Sequence, residues 1–207
     1  MELVGKTVCI DPGHPSEIGD GTRGKQITEL HAAWLVALKL KALLEERGAK
    51  VVLTKSSERQ MVRNRRRAEI ANGYQADLMV RLHCDSESGS GFAIYYPTRQ
   101  GRAKDGKVGP NAAVLVACRP VAEKFYRGFA ATIGRALKNR GLKSDLATLI
   151  GGQQGALTGS IYSQVPVVLV EMCVLSNPKD DVWIASNAGQ AKMADALAAG
   201  IEAAIGE

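Results

Sequence analysis

The sequence predicts an α/β fold: one three-layer αβα domain over residues 1–207, with a mostly parallel central sheet of about six strands. Three observations carry that expectation. Short runs rich in Val, Ile and Leu alternate with longer stretches whose apolar residues recur at helical spacing, the order that gives parallel strands joined by crossover helices. With 207 residues and 45% hydrophobic content, the chain holds enough apolar side chain for one sizeable core. No internal repeat and no linker divides it.

Val8-Cys9-Ile10 reads as a buried strand that breaks at Asp11-Pro12-Gly13 and feeds a glycine-bearing loop up to Gly24. Between residues 29 and 47, Leu30, Trp34, Leu35, Leu38 and Leu44 keep helical spacing, with Thr28 suited to the N-cap and Gly48 to the stop. Residues 50–54 make a second strand, 61–72 a second and very basic helix, and 77–82 a third strand that ends at His83. Residues 91–96 form a fourth strand and 97–109 a polar loop. A long helix is expected over 111–139, interrupted near Pro120, because proline lacks the amide proton that a helix interior requires. A loop with Gly151, Gly152, Gly155 and Gly159 follows; residues 165–170 are then an apolar, valine-rich run that ends at Glu171, and 190–205 an alanine-rich closing helix.

Composition excludes several classes. No run of about 18 apolar residues is present, so a membrane-spanning helix is not expected. The first residues lack a charged segment followed by an apolar one and do not read as an export signal. Cys9, Cys84, Cys118 and Cys173 lie far apart with no Cys-x-x-Cys pair, which points to buried free thiols rather than a disulfide framework or a zinc ribbon. The net charge of +6 is concentrated in residues 59–67 and 99–143; it suits an acidic partner such as nucleic acid, an anionic membrane or an acidic polymer without choosing among them, and each cluster also reads simply as a solvated helix face.

In open α/β sheets, ligands bind at the loops beyond the carboxyl ends of the strands. His14 stands after the first strand, His83 after the third and Glu171 after the run 165–170, while Glu29 opens the helix that follows the His14 loop. Two imidazoles and a carboxylate with an open fourth position make a catalytic zinc set, and the remaining carboxylate serves as general base. The residues alone leave open which glutamate takes which part. His31 lies two positions beyond Glu29, roughly 200° round a helix, and is left out of the site.

Five stretches resemble, in order, the zinc-dependent N-acetylmuramoyl-L-alanine amidases of the Amidase_3 family. They are Val8-Cys9-Ile10-Asp11-Pro12-Gly13-His14, then Thr28-Glu29, then Arg67-Ala68-Glu69-Ile70-Ala71-Asn72, then residues 76–83, and finally 166–171 with Leu175-Ser176-Asn177-Pro178. The resemblance implies a phosphorylase/hydrolase-like fold and one zinc ion held by His14, Glu29 and His83. It also implies Glu171 as the catalytic carboxylate, and hydrolysis of the amide between N-acetylmuramic acid and L-alanine. Asp11 is expected to orient a ligand from behind, and Cys84 is a minor rival for the metal. The substrate contacts are unassigned, although the loop 149–165 is a suitable wall for a groove. Pro15-Ser16, Cys84-Asp85 and Met172-Cys173 depart from the family's usual residues at these places.

The expected partner is peptidoglycan, with no nucleic acid, and the expected state is a monomer. The expected location is the cell envelope or outside the cell, reached after loss of a leader or by another route, as a phage-type lysin would. Two alternatives are a zinc peptidase or deacetylase acting on another amide, and a basic nucleic-acid-binding module. No nucleic-acid motif accompanies the arginines that suggest the second.

Overall fold

A computed structural model describes residues 3–206. In chain order the main elements are β1 (Thr7–Pro12), α1 (Glu29–Glu46), β2 (Lys50–Leu53), α2 (Asn64–Gly73), β3 (Leu78–Asp85) and β4 (Phe92–Tyr96). A small hairpin, β5 (Gly101–Arg102) with β6 (Val108–Gly109), precedes α3 (Ala112–Ile133), β7 (Asn139–Ser144), and the short helices α4 (Leu149–Gln154) and α5 (Thr158–Tyr162). The chain closes with β8 (Val167–Val174), α6 (Pro178–Ala185) and α7 (Asn187–Ile205).

Six strands form the central sheet in the order β2-β1-β3-β8-β4-β7. The pairs β2-β1, β1-β3, β3-β8 and β4-β7 are parallel, while β4 runs antiparallel to β8. The sheet is therefore mostly parallel, as the alternation of strands and helices implies, but its last two strands run against the other four.

Side-chain alternation along each strand builds two cores. Val8, Ile10, Val80, Val168 and Val170 face a large apolar cluster with Val36 and Leu40 of α1, Phe125 and Phe129 of α3, and Leu197 and Ile201 of α7. Cys9, Met79 and Val167 face the other side, against Ala71 of α2 and Val165. All four cysteines are buried and free, as their spacing indicates.

Three local expectations need correction. The helix over 111–139 ends at Ile133, and residues 139–144 form the edge strand β7 instead. That strand, Asn-Arg-Gly-Leu-Lys-Ser, has no β-branched residue and exists because β4 offers it a partner. Pro120 does not interrupt α3: it sits exposed, while Cys118, Ala122, Phe125 and Phe129 pack the buried face and hold the helix through it. Finally, His83 and Glu171 do not stand beyond strand ends. Both lie inside strands, as register partners on β3 and β8, because these two strands keep pairing past the apolar run.

Candidate active site

Each site residue is held by a different segment. Thr28 caps α1 by accepting the His31 amide at 3.2 Å, which sets Glu29 in the first turn. Glu29 is only 4% exposed. Its Oε2 accepts the Thr22 amide at 2.8 Å and its Oε1 the Cys84 amide at 3.2 Å. Its Oε1 lies 3.3 Å from His14 Nε2 and 2.9 Å from His83 Nδ1. The donor atoms of His14, Glu29 and His83 all fall within 4.8 Å of one another.

The His14 ring is turned by its other nitrogen, Nδ1, which lies 2.9 Å from the Gly19 carbonyl oxygen. Two glycines give the imidazoles room. A Cβ at Gly21, whose φ is +84°, would come within 2.6 Å of Glu29 Oε2, and one at Gly13 within 2.6 Å of His83 Cε1. Glycine is thus required at both positions by close approach.

Glu171 is the register partner of His83 on the neighbouring strand, a separation of about 4.8 Å between strands. Its Oε2 is buried without a hydrogen-bond partner among the described residues, and the same holds for His83 Nε2. Burial first, and then the Glu29 and Asp85 carboxylates, push the Glu171 carboxyl well above its ordinary value, with Arg140 pulling the other way. Burial tends to raise Glu29 too, yet the two imidazoles outweigh it and hold that carboxyl well below the usual range. Burial disfavours the charged form of both imidazoles. At His14 the Glu29 carboxylate wins and the value rises, whereas at His83 burial wins and it falls.

This set fits a dication. Glu29 has no lysine or arginine partner among the described residues, so its buried charge is answered only by two imidazoles and two amides. Nitrogen and carboxylate donors in this number are those of a catalytic zinc site. Cys84 does not compete: its thiol lies 3.8 Å from Cys173 Sγ in the core. His31 pairs with Glu58 at 3.0 Å, outside the donor group, as its helical angle indicates.

Asp11 departs from expectation. Its hydrogen bonds go to no imidazole. Oδ1 accepts from Thr54 Oγ1 at 2.5 Å and Arg67 Nη1 at 2.7 Å, and Oδ2 from Arg81 Nε at 2.8 Å. Arg67 also donates to the carbonyls of Pro12 at 2.6 Å and Pro15 at 2.9 Å. Buried Lys55 donates to the His14 carbonyl and to Gly13 O at 3.4 Å. The loop carrying His14 is therefore held by its backbone, and Asp11 acts on it through Arg67. The arginine was legible as a motif member but its role was not, because the basic stretch 59–67 reads as one solvated face; Arg63, Arg65 and Arg66 are exposed and Arg67 is 1% exposed.

Burial alone raises the Asp11 carboxyl, but Arg67, Arg81 and Thr54 outweigh it and hold it well below the ordinary value. A depressed carboxyl contributes stability that is fully present above its unfolded pKa of about 3.9 and is lost as pH falls through the folded value. Thermal melts from about pH 6 to pH 3 are expected to show this loss in the parent and a shallower acid slope in Asp11→Asn. Identical slopes would refute the assignment.

Residues 149–165 contain the two short helices α4 and α5 rather than an open loop, and Leu157 and Gly159 pack on the sheet face. A Cβ at Gly159 would come within 2.6 Å of Arg81 Nη1, and Leu157 lies against Ala93, Tyr95 and Leu169.

Two imidazoles and a carboxylate gathered toward the carboxyl ends of the central parallel strands, with a second carboxylate on the strand beside His83, are the arrangement of a metal-dependent hydrolase. Residues 8–203 match the Amidase_3 family, described as N-acetylmuramoyl-L-alanine amidase, and the chain belongs to that family. It is 29% identical over 181 residues to N-acetylmuramoyl-L-alanine amidase LytC of Bacillus subtilis (strain 168), covering 86% of this chain and 31% of LytC. The chain thus spans about a third of that relative's length. The germination-specific N-acetylmuramoyl-L-alanine amidase of the same organism is 24% identical over 217 residues, covering 97% of this chain and 80% of that protein. Among solved structures, the catalytic domain of CwlV, an amidase from Bacillus (Paenibacillus) polymyxa var. colistinus, superposes with a TM-score of 0.73 at 24% identity, covering 95% of this chain and 96% of that one. That likeness shows the fold.

Proposed function

We propose that this chain hydrolyses the amide joining N-acetylmuramic acid to L-alanine in peptidoglycan, using one zinc ion held by His14, Glu29 and His83, with Glu171 as general base. The observation that carries the reading is the meeting of three donor atoms from distant segments within 4.8 Å, beside a carboxylate whose Oε2 is buried and unpartnered among the described residues. Membership of the family supplies the substrate bond.

A zinc ion held by His14, Glu29 and His83 would supply Lewis acidity and a water of lowered pKa, about 7 in such sites. The protein's own groups do the rest. Gly19 O and the Thr22 and Cys84 amides fix the orientation of His14 and Glu29 before substrate arrives. Glu171 accepts the proton of the attacking water and returns it to the nitrogen of the departing alanine.

Residues 1–207 act in this reading as one catalytic domain and as a monomer, on the wall polymer at the cell envelope or outside the cell, with no nucleic-acid partner. No helix among the described residues is long and apolar enough to cross a membrane. The test is digestion of purified peptidoglycan with and without a chelator. New alanine amino termini without new reducing sugar ends are expected, together with loss on chelation and recovery on adding zinc. New sugar ends, or activity indifferent to the chelator, would overturn the proposal.

A further inference from the structure

One short segment after β8 gathers the loops that flank the site. Asn177 Nδ2 donates to Gly89 O at 2.9 Å and Ser176 Oγ to Glu87 O at 2.8 Å. Asp180 accepts from Ser90 Oγ at 2.8 Å and from the Gly91 and Val174 amides at 2.6 and 3.0 Å. These bonds tie the loop after the His83 strand to the end of the Glu171 strand.

Asp181 does something different. It is 2% exposed and accepts three consecutive backbone amides, those of Lys25 at 2.7 Å, Gln26 at 2.9 Å and Ile27 at 3.3 Å. No lysine or arginine pairs with it among the described residues, so the amides alone satisfy a buried carboxylate, as in an anion-binding nest. Gly24 lies so close that a Cβ there would come within 2.0 Å of Asp181 Oδ1.

The same loop is fastened to Glu29 at its other end. The Gly24 amide donates to Ile27 O at 2.8 Å and the Glu29 amide to Thr22 O at 3.0 Å, and the Thr22 amide donates to the Glu29 carboxylate at 2.8 Å. Residues 22–29 are thus a closed loop wrapped round one carboxylate, 152 positions further along the chain than Glu29.

We infer that Asp181 is a positioning residue for Glu29: it sets the loop that presents this carboxylate to the metal. The inference rests on the proposed role of Glu29 as a ligand. Asparagine has nearly the same shape but turns an NH2 toward amides that need an acceptor. Zinc affinity, read by competition with a chromogenic chelator, is measured for the parent, Asp181→Asn, Glu29→Ala and the double variant.

Asp181→Asn is expected to weaken zinc binding by about ten- to a hundredfold, the usual effect of losing a supporting contact behind a ligand. In the Glu29→Ala background it is expected to cost nothing further. A merely structural role predicts the same loss in both backgrounds, and that result, or no loss in either, overturns the inference. Lys25→Pro removes the amide of the 2.7 Å bond from the loop side and is expected to act in the same direction, which keeps the test decisive should the Asp181 variant fail to fold. Unchanged affinity in Glu29→Ala would overturn the ligand assignment together with this inference, whereas a Glu29 effect without an Asp181 effect overturns this inference alone.

Discussion

Glu171→Ala is expected to lower turnover by about a hundred- to ten-thousandfold, the contribution of a positioned proton-transfer group, while zinc content stays at the parent level. The two readouts separate because the three proposed metal donors come from β1's following loop, α1 and β3, and Glu171 is not among them. Its place on β8 is fixed by pairing on both sides, with His83 on β3 and Ala93 on β4, so truncation removes the carboxylate without freeing the strand. Glu171→Gln keeps the shape but has no basic oxygen to accept a proton, and it is expected to fail as badly. Wild-type turnover in either variant, measured as release of alanine amino termini, would remove Glu171 from the mechanism. Loss of zinc in both would instead make it a ligand.

The second large effect is on stability. Arg67→Met is expected to destabilise the protein by about 3–5 kcal/mol, the usual cost of removing one partner of a buried ion pair. For a chain of this length that corresponds to a fall of roughly 10 °C in Tm. Arg67 and Asp11 are 1% and 0% exposed, and the arginine also donates to Val62 O at 2.8 Å. Its loss leaves Asp11 to Arg81 and Thr54 alone and takes one donor each from the Pro12, Pro15 and Val62 carbonyls. Lysine is not expected to rescue it, because one ammonium cannot reproduce a planar fork that reaches four acceptors. A melt within about 2 °C of the parent would show that the network contributes little.

The sequence made some of this legible and hid the rest for physical reasons. The strands built on Val8-Cys9-Ile10 and 165–170 are apolar runs with both faces buried, and α1 carries its cap, apolar stripe and glycine stop in the open. Three of the candidate positions, His14, His83 and Glu171, stand out in the sequence because an ionisable side chain beside such a run costs desolvation that packing alone does not repay, and Glu29 stands out only as the residue that opens α1 after the His14 loop. β7 was hidden because an edge strand is specified by its neighbour and not by its own residues. The reversal of β4 and β7 leaves no trace in a pattern that records burial but not direction. For Asp11 the neighbourhood is legible and the partner is not: proximity in sequence to His14 suggests a bond to its ring, whereas two arginines from 56 and 70 positions away compete for the same oxygens. Asp181 carries no signal of its own, since aspartate in the first turn of a helix is ordinary.

The four thiols have a practical consequence. Cys9, Cys84, Cys118 and Cys173 are all shut inside the packed chain, and burial pushes the Cys118 thiol up to about 11, so an alkylating reagent meets a folded molecule with nothing to attack. The same reagent reaches them when the interior opens. The protein thus carries four internal clocks of its own opening, spread over β1, β3, α3 and β8, and a fluorophore attached through one added surface cysteine would report on the site without touching them.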